Sequence, residues 1–406
     1  MNADYNERIS RFVKSGINDS PVTGKPDQFW QSLRATGTGL WLDTGDMTEA
    51  EANWSAEMTA LTTNNTLLNN EIQKGIYDDF IPSAVGLVRH LPVNEQVREI
   101  AFILNARHGL RLARKFGGMV SVELHTDTAY NVDAIVSYGL RFWEICPEQF
   151  IVKVPYTPEG FIGARRLREK GVRINFTLEF SARQNALVTI VAKPDYLNVF
   201  LGRIGAFIAD NKLGDGSGAG ENAVLSSQSW VKRMSESNSW PTKQIAASLR
   251  NYTQLELLAG TDVFTMPPKV AAAGRKSLSG IFNSRLGTHY DVPLNETAKD
   301  LAIEKFWEVP QSVIELGRSL DSNMPGTGAD LVARVHAAGL GDMFPEMSKA
   351  DNERLAAEGK IPVLSSWRDR IISGELACDT LLTLAGIASF TADQRQLDDR
   401  IRGIIG

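Results

Sequence analysis

The stretch FIVKVPYTPEGFIGARRLREKGVRINFTLEF (150–180) reads as a strand, a helix and a second strand, and it decides the fold. FIVKVP (150–155) is nearly continuous in apolar residues, as a parallel strand buried on both faces should be. Thr157-Pro158-Glu159 follows, an N-cap with proline at the first helical position. The helix GFIGARRLREKG stops at Gly171, and VRINFTLEF (172–180) returns to a β-rich run. After it, Ser181 and Gln184 stand at capping-box spacing and open the next helix.

Outward from this unit the alternation continues. GLWLDT (39–44), MTALTT (58–63) and MVSVEL (119–124) precede it, and YLNVFLGRI (196–204), KQIAASL (243–249) and DVFTMPP (262–268) follow, which makes eight strands. Eight strand–helix repeats over roughly 245 residues predict an α/β fold, a (β/α)8 TIM barrel. An open doubly wound sheet would want a Gly-rich fingerprint after its first strand, and LWLDTGDMTEAE lacks one. The predicted organisation is an N-terminal helical extension (1–38), a barrel (39–284) and a C-terminal helical extension packed on it (285–406). Residues 67–117 form a mainly helical excursion between the second and third strands. The last helix is expected to begin at a Thr391/Gln394 capping box, with Leu397, Ile401 and Ile405 on one stripe. GDGSGAG (214–220) lies in the loop after the sixth strand. No Walker pattern follows it, so its glycines point to flexibility, and its place suits a mobile lid.

Composition narrows the function classes. A net charge of −5 with 43% hydrophobic residues is a soluble globular balance. It lacks the clustered basic face of a nucleic-acid binder, so an anionic ligand must be held by a few placed cations. Cys146 and Cys378 cannot form a disulfide framework or a zinc cluster, and they suit a reducing compartment. The start MNADYNERISRFVKSG carries acids and no apolar core, and no run of about 18 apolar residues occurs, so no membrane partner and a cytoplasmic location are expected. His90, His108, His125, His289 and His336 show no metal-ligand spacing. Neither a metal nor a cofactor is expected, and composition leaves a homo-oligomer open.

In such a barrel, polar residues at the carboxyl ends of the strands are the candidates for chemistry. Lys153 interrupts Ile151, Val152, Val154 and Pro155 in a strand expected to be buried. Desolvation favours the neutral amine, which can attack a carbonyl. The competing explanation is a strand-end lysine reaching solvent. Asp43 ends the first run, Asn64 ends the second and Glu123 lies in the third, while Asn175 and Thr177 alternate in the fifth and share a face. Singly, each fits a cap or turn. Together they supply the carboxyl that a Schiff-base mechanism needs to move protons, and hydrogen bonds for substrate hydroxyls. Arg203 after the sixth strand, with Ser248 and Arg250 after the seventh, could clamp a phosphate where these barrels usually bind one.

The motifs LWLDT, TTNNT, VKVPYTPEG, INFTLEFS, FLGRI and AASLRN, in this order over roughly residues 38–270, resemble the transaldolase family of class I aldolases. The resemblance implies that Lys153 is the Schiff-base lysine and Asp43 the acid/base aspartate. It makes Glu123 a glutamate working through a water held with Thr177. Asn64 and Asn175 would contact the bound ketose and the lysine, and Arg203, Ser248 and Arg250 would bind phosphate. Phe200 with Glu123 looks like the transferase branch, since the lyase branch carries tyrosine and glutamine there. Asn65 stands where proline is usual, and Asn198 where the family has a serine touching the dihydroxyacetone end of the donor. The implied activity is transfer of a dihydroxyacetone unit from a ketose phosphate, such as sedoheptulose 7-phosphate or fructose 6-phosphate, to an aldose phosphate. Two other readings stay open. One is a lyase or specialised relative acting on another ketose, for example a sulfonated one. The other is an inactive barrel with a binding or regulatory role, against which intact Lys153, Asp43 and Glu123 argue.

Overall fold

Eight parallel strands close into a barrel in chain order in the computed structural model, which describes residues 3–236 and 240–406. They are β1 (Gly39–Asp43), β2 (Met58–Thr62), β3 (Met119–Glu123), β4 (Phe150–Pro155), β5 (Ile174–Thr177), β6 (Tyr196–Phe200), β7 (Lys243–Ala247) and β8 (Val263–Met266). Their apolar runs have a simple cause. Outward residues such as Leu42, Val152, Val154, Phe176, Val199 and Phe264 are buried under the helices. Inward residues on the lower part of the strands, Trp41, Ala60, Ile151, Ile245 and Val263, fill the barrel and form a core of their own. One pleat further along, the same inward face turns polar: Asp43, Thr62, Glu123, Lys153, Asn175, Asn198 and Thr265. The parallel register sets Glu123 beside Lys153 and Lys153 beside Asn175.

The strands are mostly shorter than their sequence suggests, β5 and β6 most of all. β5 ends at Thr177 because Leu178 adopts a left-handed φ of 74°, which breaks the ladder before Glu179. β6 ends at Phe200, and the helix Leu201–Asp210 begins at once, so Arg203 sits in its first turn. GDGSGAG follows that helix rather than the strand, and its glycines answer a packing need rather than a need for flexibility. A Cβ on Gly216, whose φ is 81°, would stand 2.2 Å from the carbonyl oxygen of Gly205.

The predicted start of the last helix is corrected. It runs from Cys378 to Ile405, and Thr391 and Gln394 lie inside it. The Thr391-to-Gln394 pattern marks a start only where the chain upstream is not already helical, and here Leu381, Leu382 and Ala385 bury a helical face. Gln394 turns its amide to tertiary partners instead, accepting from Asn65 Nδ2 at 2.7 Å and donating to Asp398 at 2.9 Å. Leu397 and Ile401 are buried as expected. The helix thereby lies against Asn65–Gln73, the helix that leaves β2. Asn65, unusual in its motif, is one of the residues that dock it.

The first turn of this last helix is held by a buried ion network. Arg183 donates to both oxygens of Asp379 at 2.8 Å and to Asp342 at 2.9 Å, and Ser181 donates to Asp379 at 2.6 Å. Removing one partner of such a pair strands a buried charge. Asp379→Ala should therefore lower stability by about 3–5 kcal/mol, read as a shift in the denaturation midpoint. A loss below about 1 kcal/mol would show that the network orients the helix without stabilising it. Among the described residues no helix is long and apolar enough to cross a membrane. Cys146 and Cys378 are both buried and unpaired.

Candidate active site

The polar pleat opens into a cavity of about 280 Å³ at the carboxyl ends of the strands. Asp43, Asn64, Lys153, Asn198, Phe200, Arg203, Ser248 and Arg250 all line it. Glu123, Asn175 and Thr177 lie behind this wall, fully or almost fully buried. The strands thus bring all the predicted residues into one region, in two layers.

Lys153 is 5% exposed, and its ammonium donates to the carbonyl oxygen of Thr63 at 2.5 Å. Glu123 Oε2 stands 3.6 Å from Lys153 Nζ and has no hydrogen-bond partner among the described residues. Burial pushes the Glu123 carboxyl up to about 7, against the downward pull of Lys153 and Arg203. The Thr177 hydroxyl, likewise buried, is also without a partner. Burial raises Asp43 too, opposed chiefly by Lys153 and by the Thr62 hydroxyl 3.1 Å from its Oδ1. Both carboxyls are thus held above their ordinary range, and Glu123, near 7, can exchange protons near neutrality.

The amides have partly structural roles. Asn64 caps the helix Asn65–Gln73, accepting from Leu67 N at 2.8 Å, while still lining the cavity. Asn175 donates to Ser121 Oγ at 3.0 Å and accepts from Asn198 Nδ2 at 2.8 Å. Asn198 Nδ2 also donates to the carbonyl oxygen of Phe176 at 2.5 Å, filling the ladder gap left by Leu178. A serine is too short to bridge that gap, and the Asn198 amide oxygen remains as an acceptor at the cavity wall.

The cations gather at the ends of β6 and β7. Gly202 permits this approach, since a Cβ there would stand 2.1 Å from the carbonyl oxygen of Ser248, itself left-handed with a φ of 62°. The Arg203 guanidinium lies between the rings of Phe200 at 5.4 Å and Phe390 at 5.5 Å. Its buried Nη1 has no hydrogen-bond partner among the described residues, and burial together with Arg250 lowers its pKa to about 10. An anion would satisfy both deficits.

Several residues at the site were not singled out from the sequence. Lys269, just past β8, and Lys360 and Phe390, from the C-terminal region, also line the cavity. The first carries the signal used for the others, a polar residue at a strand end. The other two lie far outside the barrel strands, and nothing local marks them. Glu179 is the fourth omission, and it interrupts VRINFTLEF much as Lys153 interrupts its own strand. Its carboxyl is fully buried with neither oxygen hydrogen-bonded among the described residues, and burial holds it well above the ordinary range. The folded protein therefore keeps a proton that the unfolded chain releases, so stability falls as pH rises above the ordinary carboxyl range. Glu179→Gln should remove that slope. The variant should gain on the order of 1–3 kcal/mol over wild type at about pH 8, with the gain gone near pH 4. A pH-independent difference in melting temperature would mean that Glu179 does not titrate in this way.

Sequence comparison adds to this geometry. Residues 40–307 match the family model described as transaldolase/fructose-6-phosphate aldolase. A probable transaldolase of Thermus thermophilus is 34% identical over 236 residues, covering 57% of this chain and 87% of that one. A transaldolase of Kluyveromyces lactis is 28% identical over 249 residues, covering 59% and 73% respectively. One of Chlamydia felis is 26% identical over 257 residues, covering 60% and 75%. A barrel with an amine, two carboxyls and paired arginines at one mouth, matched along two-thirds of its length, belongs to the transaldolase/fructose-6-phosphate aldolase family.

Proposed function

We propose that the chain is a transaldolase-type transferase that carries a dihydroxyacetone unit from a ketose phosphate to an aldose phosphate on a Schiff base at Lys153. The observation that carries this reading is the buried Lys153 amine, with Glu123 Oε2 at 3.6 Å, at a cavity whose mouth holds two arginines. The Lys153 amine adds to the ketose carbonyl carbon. Glu123, with a carboxyl near 7, gives a proton to the departing hydroxyl through a water shared with Thr177, and an iminium forms. Asp43 then takes the proton of the hydroxyl carried by the far carbon of the scissile bond, and that carbon leaves as the aldehyde. The electron pair of that bond flows to the iminium nitrogen, giving an enamine and a free aldehyde. A second aldehyde reverses these steps, with Asp43 returning the proton. Asn64 and Asn175 support the ketose and the lysine, and Asn198 offers its amide oxygen to a donor hydroxyl. We take residues 39–284 as the catalytic unit and residues 285–406 as an appended extension.

The direct test incubates the protein with fructose 6-phosphate or sedoheptulose 7-phosphate and follows transfer to an aldose phosphate against release of free dihydroxyacetone. Transfer without release supports the transferase. Release at a comparable rate would favour a lyase, and neither would leave a barrel without this chemistry. Phe200 and Glu123 speak for the first outcome.

Arg203, Ser248 and Arg250 are assigned the terminal phosphate. A hydrogen bond to a charged group contributes roughly 1.5–3 kcal/mol, so Arg250→Ala should lower kcat/KM for glyceraldehyde 3-phosphate about 10- to 150-fold. The penalty should fall far less on unphosphorylated glyceraldehyde. An equal loss on both would mean that Arg250 supports the loop and not the ligand.

A further inference from the structure

We propose that Lys360, contributed by the C-terminal extension, is a third cation of the anion subsite and selects substrates ending in a dianion. This rests on the transferase reading above and names the class of substrate that it takes. Lys360 lies beyond residues 40–307, the part of the chain that matches the family model, yet it lines the same cavity as Arg203, Ser248 and Arg250.

Its position is built by the surrounding structure. Gly359, at a φ of 79°, ends the helix Lys349–Glu358 and turns the chain. The turn that follows is fastened at both of its backbone groups to Asn211, at the end of the helix that carries Arg203. Asn211 donates to the carbonyl oxygen of Pro362 at 3.1 Å and accepts from Leu364 N at 2.8 Å. Glu358 adds a second clamp, accepting from Val363 N at 2.9 Å and from the Trp367 indole at 2.8 Å. A loop tied down in this way holds the start of the lysine stem in one place.

The charges at this end of the cavity do not balance. Among the described residues Arg203, Arg250 and Lys360 form no ion pair with a carboxylate, and Arg203 Nη1 is buried without a hydrogen-bond partner. Desolvation, Arg203 and Arg250 press the Lys360 ammonium toward losing its proton, and Asp393 opposes them. Arg203, Arg250 and Lys360 repel one another on a cavity that Lys153 and Lys269 also line, and although Asp43, Glu123 and Asp393 offset part of that charge, an anion between the three would relieve the rest. A phosphate monoester carries close to two charges at neutral pH and a sulfonate one, so an added lysine favours the phosphate. Lysine suits this role at a mobile ligand end, supplying charge without demanding the bidentate geometry that the arginines already satisfy.

The experiment compares wild type with Lys360→Gln and Lys360→Arg. It measures kcat/KM for glyceraldehyde 3-phosphate, its sulfonate analogue and free glyceraldehyde, and the Kd of inorganic phosphate by calorimetry. The expected result for Lys360→Gln is a roughly 10-fold weaker phosphate Kd and a similar fall in the preference for phosphate over sulfonate and over the neutral acceptor. Lys360→Arg should recover most of it. Equal losses on all three acceptors, or an unchanged phosphate Kd, would overturn the proposal. The Kd does not depend on turnover. A wild type that binds phosphate through Lys360 but transfers nothing would therefore sink the transferase reading and keep the anion site. Normal transfer with an unaltered Lys360→Gln variant would do the reverse.

Discussion

Lys153→Arg should abolish trapping of a ketose by borohydride and reduce transfer by roughly 10⁴- to 10⁶-fold, the scale seen when a covalent enzyme loses its nucleophile. A guanidinium stays protonated and cannot form an imine, yet it keeps the positive charge beside Glu123 and Asp43. The substitution thus separates nucleophilicity from charge. In wild type, reduction should leave one modified peptide, the one containing Lys153. Position explains the selectivity. Lys153 is 5% exposed beside Glu123, whereas Lys269 and Lys360 are exposed at the same cavity. Lys360 is the informative competitor, because desolvation and the two arginines lower its pKa. An adduct that maps to Lys360, or one that survives in Lys153→Arg, would remove Lys153 from the chemistry.

Asp43→Asn should slow transfer by about 10² to 10⁴ while still allowing the imine to form, so the covalent intermediate accumulates and borohydride traps more of it than in wild type. The amide keeps the shape and the contact with Thr62, 3.1 Å from the carboxyl, but cannot take a proton as the carbon–carbon bond breaks. The pH profile supplies a second reading. Burial holds Asp43 above the ordinary carboxylate range, and the base form is the active one in cleavage. Cleavage should therefore fall as pH drops through that raised value, and the residual activity of Asp43→Asn should lack this limb. A variant that cleaves at a near-normal rate, or that fails to form the imine at all, would assign the proton transfer to another group. Glu123, with its carboxyl near 7, would then be the next candidate.

The site was legible in the sequence wherever a polar residue broke a run that the barrel buries. Lys153 and Glu123 announce themselves in this way, and the register of β3 and β4 places them side by side. Glu179 interrupts INFTLEF in the same way but falls after the strand ends, where a polar residue is ordinary. The left-handed Leu178 that turns its carboxyl inward has no mark in the local sequence. The roles of the amides were only half legible. A sequence lists Asn175 and Asn198 as separate donors and acceptors, while the fold joins them to each other and to Ser121, so that only Asn198 lines the cavity.

The barrel itself follows from local physics. Period-two burial on short apolar runs, helix caps at Thr157 and Ser181, and the count of strand–helix repeats are properties of neighbouring residues, and neighbours suffice to state them. The lysine, the carboxyls and the arginines belong to the same layer of information, because strand ends of one barrel converge wherever the chain closes. What only the tertiary structure decided is the far side of the cavity. Phe390 stacks on Arg203, Lys360 joins the cations, and Gln394 exchanges its expected capping role for a bond to Asn65. Each of these contacts joins residues more than 100 positions apart, and their energies depend on how the last helix packs across the barrel mouth. No periodicity or cap encodes that packing, so the sequence by itself placed the candidate groups, and the closed fold alone decided which walls surround them.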